Sequence, residues 1–164
     1  MAGRDDFAPE EWAQIRKSPL MAALVVVAAS PSGPIGVLKE MFAVGKLVAE
    51  TKAKTGTNPL VDAVVADLTT REGMEQAKPT EIQGKSPDAA RAVALEQPKQ
   101  VAGVLERKAP SDAAGFKHWL QEVAQRVANA SKEGGFLGFG GTSVSEQEQA
   151  TLRDIATALG VAAA

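Results

Sequence analysis

The chain has 164 residues, with 45% hydrophobic and 23% charged side chains, so it has the length and balance of one globular domain and not of a disordered segment. A formal net charge of −2 speaks against nucleic acid as a partner, because neutralising phosphates requires a basic surface. The lack of cysteine excludes disulfides, thiolate metal sites and cysteine nucleophiles. Aromatic residues are scarce at 4% and tyrosine is absent, so alanine and valine must fill the interior, which suits closely approaching helices.

The expected architecture is all-α: a single helical domain over 1–164, of about six to eight helices in an orthogonal or bundle-like pack, with no sheet. Its clearest signal is a capping residue followed by proline at Ser18-Pro19, Gly33-Pro34, Asn58-Pro59 and Ser86-Pro87. Proline's fixed φ suits a first helical turn, where its missing N–H costs nothing. Ala8-Pro9 is a fifth instance, with Phe7 and Trp12 spaced as a hydrophobic staple and Glu11 at the third helical position.

In chain order, this punctuation predicts a helix from Pro9 to Arg16 and a second from Pro19 to Ala29. The polar, acidic stretch Met1–Glu11 does not read as a secretory signal. The apolar run Pro19–Ala29 falls well short of the ~20 residues a membrane-spanning helix needs. A third helix, Pro34 to about Lys54, is apolar on more than one side and expected to be central, with Gly56 as a left-handed cap. The fourth, Pro59 to Arg71, carries Leu60, Val61, Val64, Val65 and Leu68 as one face and stops at Gly73.

Between residues 74 and 85 the pattern fades around Pro79 and Gly84, the best candidate for a mobile connection. Pro87 to Lys108 is helical again, with Pro98 either kinking it or dividing it. Ser111 is expected to cap a sixth helix, Asp112 to Ser131, with Phe116, Trp119, Leu120, Val123 and Val127 on its buried stripe. The last helix opens with Ser145 and Glu148 as a capping box, turns Leu152, Ile155, Ala156 and Leu159 inward, and ends at Gly160.

No constellation of catalytic residues, cofactor ligands or metal ligands emerges. His118, the sole histidine, lies about 150° from the buried face of its helix and should be exposed beside Glu122. Without a second histidine at ligand spacing, a zinc site is not expected. The acidic pairs Glu10/Glu11 and Glu146/Glu148 stand in first turns, where the helix dipole favours negative charge. The segment Gly134–Thr142 approaches a phosphate-binding loop in its spacing of Gly135, Gly140 and Thr142. Gly141 replaces the lysine that such a loop needs, and a helix precedes it where a strand should.

Two readings of that segment remain. Its glycines can permit a tight reversal while Phe136, Leu137 and Phe139 plug the end of the bundle. Alternatively, those three side chains form an exposed apolar knob that docks a protein partner, a second copy of the chain or a membrane surface. Interaction through Phe136, Leu137 and Phe139 is therefore the leading expectation for function. The alternatives are reversible membrane or lipid association through the apolar segment 19–48, and a small-ligand-binding or enzymatic bundle with a pocket between helices.

The segments Glu10-Glu11-Trp12, Ser32-Gly33-Pro34-Ile35-Gly36 with Lys39-Glu40, and Glu133 to Gly141 together resemble a family of small bacterial helical proteins. That resemblance implies a bacterial, cytoplasmic setting and brings no activity with it. Val144-Ser145-Glu146-Gln147-Glu148, followed by Leu152, Ile155 and Leu159, is more distantly similar to the TerB-like helical domains of tellurite-resistance systems. TerB-like domains carry acidic, metal-associated residues in turns whose counterparts here, 30–36 and 134–143, hold no carboxylate. The similarity thus implies a helical fold and gives no support to metal binding.

Overall fold

A computed structural model describes residues 2–29, 44–51, 58–132 and 146–162. Every regular element among them is helical: α1 (Pro9–Ala29), α2 (44–51), α3 (Pro59–Leu68), α4 (Arg71–Gln76), α5 (Pro87–Lys108), α6 (Pro110–Lys132) and α7 (Glu146–Leu159). Single 3₁₀ turns stand at Arg4–Asp6 and Thr80–Ile82. The all-α architecture expected from the sequence is the one observed.

The start of α1 follows local chemistry. Phe7 and Trp12 pack with ring centroids 6.2 Å apart, closing the staple. Glu11 Oε2 accepts the Ala8 N–H at 2.9 Å, satisfying an amide that the helix itself leaves unpaired. The same carboxylate takes Lys108 Nζ at 2.7 Å from the end of α5. The Lys108 bond, then the Ala8 amide, hold the Glu11 carboxyl below its ordinary pKa.

The expected break at Ser18-Pro19 does not occur, and α1 runs unbroken from Pro9 to Ala29 with Pro19 inside it. Proline at 19 deprives the Ile15 carbonyl of its usual N–H donor. Ser18 is fully buried, and its hydroxyl donates to that carbonyl at 2.7 Å. The serine read as a cap therefore repairs the helix that the proline would open. Ser18→Ala is expected to cost about 1–2 kcal/mol in urea unfolding. In a Pro19→Ala background the cost should fall below half, because an alanine amide then reaches Ile15. Equal costs in the two backgrounds would disprove the repair.

α1 is apolar around its circumference, with Ile15, Leu20, Met21, Ala22, Ala23, Val25 and Val26 all buried. Accordingly it packs against α3, α4, α5, α6 and α7, and among the described helices it holds the centre. That position was expected of the helix over 34–54. Of that helix, 44–51 is described and buries Val44, Leu47 and Val48; its remainder and Gly56 lie outside the described residues.

α3 buries the predicted face, and Asn58 caps it by accepting the Leu60 and Val61 amides, each at 3.1 Å. α3 ends at Leu68, earlier than Arg71, and Gly73 lies within α4 instead of stopping α3. Thr70 opens α4 by accepting the Gly73 amide at 2.9 Å. A Cβ at Gly73 would fall 2.1 Å from the Asp67 carbonyl oxygen, so this glycine lets the two helices fold back closely. Beyond α4, Glu81 of the second 3₁₀ turn pairs with Lys17 of α1.

α5 is continuous through Pro98. α6 begins at Pro110, two residues before the expected start, and Ser111 lies in its first turn and does not cap it. Ala109 ends one helix and begins the next: its N–H donates to Leu105 O at 2.8 Å, and its carbonyl accepts the Ala113 amide at 2.9 Å. α7 turns Ile155, Ala156 and Leu159 inward as predicted, with Leu152 half-buried and Gly160 ending it at φ 67°. Ser145 is outside the described residues.

Candidate functional site

The predicted contact residues Phe136, Leu137 and Phe139 lie in 133–145, outside the described residues. Their flanking helices are both described: α6 ends at Lys132 and α7 begins at Glu146. The described body has few apolar side chains to offer a partner. Met74, at 39% exposure, is its one exposed large hydrophobic residue.

A cleft of about 300 Å³ opens where α2, the start of α3 and α6 meet. Its position follows from how these helices are tied. Asn58, while capping α3, donates through Nδ2 to the Asp112 carbonyl on α6 at 2.9 Å. A Cβ on Gly115 would sit 2.5 Å from that nitrogen, so the glycine makes room for the crossing amide. Asp112 in turn accepts the Ala2 amide at 2.7 Å, fastening the chain's start to α6. Trp119 donates its indole N–H to Thr51 Oγ1 at 3.2 Å, holding the end of α2 against α6.

Leu47, Val61 and Trp119 supply the apolar wall of this cleft, and Phe116 packs edge-on to Trp119 with centroids 5.4 Å apart. Its polar side carries Glu50, Glu122, Arg126 and His118. Arg126 links the two carboxylates, through Nη1 to Glu50 at 2.6 Å and through Nη2 to Glu122 at 3.3 Å. The bond to Glu50, opposed by partial desolvation, raises the guanidinium further above its already high pKa. His118 is exposed, as its helical position predicts, and lines the cleft together with Glu122.

Sequence reasoning placed Trp119 only in the core and His118 only on the surface; the structure makes both part of one cleft wall. Glu50 and Arg126 escaped notice because they meet across 76 positions of sequence. The available signals were the four-residue spacing of Glu122 and Arg126 and the glycine at 115 inside a helical pattern.

Other charged groups serve the frame. Asp67, on α3, accepts both the Trp12 indole N–H at 2.9 Å and Arg16 Nη1 at 3.1 Å from α1. Lys117 is buried and pairs with Glu106, whose carboxyl it holds below its ordinary pKa. Arg91 of α5 reaches Asp154 of α7 at 2.7 Å. Among the described residues no group of three His, Cys, Asp or Glu side chains could hold a metal ion, and no helix is long and apolar enough to cross a membrane. No family model matches the chain, and no curated protein and no solved structure matches it either.

Proposed function

We propose that this chain is a non-enzymatic helical protein that acts by binding a protein partner or a second copy of itself, with Phe136, Leu137 and Phe139 as the contact. The observation that carries this reading is the closure of the described core, in which Phe7, Trp12, Phe116 and Trp119 are all spent on internal packing. An apolar contact must then draw on side chains outside that body, and the aromatic, glycine-rich segment between α6 and α7 is the most concentrated supply. The apolar run 19–29 supports membrane association less well, because its side chains fill the core of α1. The resemblance noted above favours a bacterial cytoplasmic setting.

Sedimentation velocity across a concentration series tests the proposal. The wild type is expected to sediment increasingly fast with concentration, or to do so once its co-purifying partner is added back. Phe139→Ser should remain a monomer with unchanged far-ultraviolet circular dichroism. Identical sedimentation of folded wild type and variant, with and without co-purifying protein, would overturn it.

A second reading, small-ligand binding, is favoured by one observation: the cleft between α2, α3 and α6 has an apolar wall, convergent polar groups, and a volume at the lower end of the ~300–1,000 Å³ usual for ligand pockets.

A further inference from the structure

We infer that the cleft between α2 and α6 is a site for a small organic monocation, an ammonium or guanidinium carried on a compact apolar body; this rests on the small-ligand reading. Charge decides the class. Among the described residues, two carboxylates, Glu50 and Glu122, face the space, against one guanidinium of Arg126. Arg126 does not satisfy them equally: its contact with Glu50 is short at 2.6 Å, that with Glu122 long at 3.3 Å. The Glu122 side chain is 51% exposed, open to a second cation. His118, one turn away on the same helix, is exposed at the edge of the same space. Lys46 approaches Glu50 only at 3.9 Å, is 67% exposed and stands outside the lining, where solvent screens it.

An anion placed in this cleft would meet both carboxylates. A neutral molecule would gain only apolar contact with Trp119 and its neighbours. A monocation gains that contact and a charge-assisted hydrogen bond to Glu122, with the indole ring beside it. Arg126 shows by its own position that positive charge is accommodated there, and it is also the ligand's internal competitor. Removing Arg126 should therefore strengthen binding, whereas a merely structural role would predict no gain.

The test is a titration of the full chain at pH 8 and matched ionic strength, followed by the two indole N–H resonances. Trp119 reports on the cleft. Trp12, bonded to Asp67, serves as the internal control. Benzylammonium is expected to shift the Trp119 signal saturably and leave Trp12 unmoved, with benzyl alcohol and benzoate at least about tenfold weaker. Glu122→Gln should weaken benzylammonium about tenfold and Arg126→Gln should tighten it several-fold, each with the Trp12 signal in place as evidence of folding. Benzyl alcohol or benzoate binding as tightly as benzylammonium would overturn the monocation while leaving the small-ligand reading standing. Weaker benzylammonium binding by folded Arg126→Gln would do the same. If none of the three probes moves Trp119, both fail.

Discussion

Val64→Asp is expected to leave no cooperatively unfolding protein at 25 °C. Val64 is completely buried at the middle of α3, on the face that Leu60, Val61, Val65 and Leu68 continue. A carboxylate there must either remain charged without a partner or take up a proton, and both cost several kcal/mol. That is comparable with the whole stability of a domain this size, about 5–15 kcal/mol. Two controls separate charge burial from helix damage. Val64→Ala removes two methyl groups and should cost only about 2 kcal/mol, keeping a sharp transition. Ala66→Asp, on the exposed side of the same helix, should cost only about 1–1.5 kcal/mol, from lower helix propensity and the Asp62 charge one turn earlier, and keep a sharp transition. A wild-type melting temperature for Val64→Asp would show that α3 does not bury this face.

The second large effect is expected at Asp67, where one carboxylate serves two donors of α1. Its partners are the Trp12 indole at 2.9 Å and Arg16 at 3.1 Å, with the Arg16 side chain only 7% exposed. Arg16 Nε is already buried without an acceptor among the described residues, so this guanidinium depends on Asp67. Asp67→Ala should cost about 3–5 kcal/mol, the range for stranding one member of a buried pair. Asp67→Asn, which keeps an acceptor for Trp12 but loses the charge, should fall between. The double change Arg16→Met with Asp67→Leu should recover only the part due to the stranded guanidinium, because the buried Trp12 indole N–H still lacks its acceptor. Urea unfolding of the four proteins decides the matter; a loss below about 1 kcal/mol for Asp67→Ala would show that water relieves Arg16.

These two sites differ in how far the sequence reveals them. Val64 was legible because its helix repeats apolar residues at three and four positions and opens with Asn58-Pro59, both local signals. Asp67 carries no such local signal. Its actual partners are 55 and 51 positions away, and no periodicity reports on such a meeting. Lys117 is the same case. On the buried stripe of α6 its neighbours Phe116 and Leu120 were expected, but a buried lysine was not; it is tolerated because Glu106 of α5 pairs with it.

The proline signals divide on the same principle. At Asn58, Ser86 and Ala8 a proline opens a helix, as its missing N–H and fixed φ dictate. At Pro19 those same local facts predicted a break, and the break is absent because burial of α1 on all sides, together with the Ser18 hydroxyl, outweighs one lost backbone hydrogen bond.

The sequence by itself therefore determined the all-α class, the buried faces of α3, α6 and α7, the Asn58 cap, and the staple of Phe7 on Trp12. All of these depend on residues within a turn or two of each other. Only the tertiary structure decided that α1 is one central helix, that Asp67 fastens it to α3, and that Glu50, Glu122, Arg126 and Trp119 share a cleft. Each of those depends on which helix faces which, and that is settled by the fit of whole apolar surfaces and not by any local run of residues.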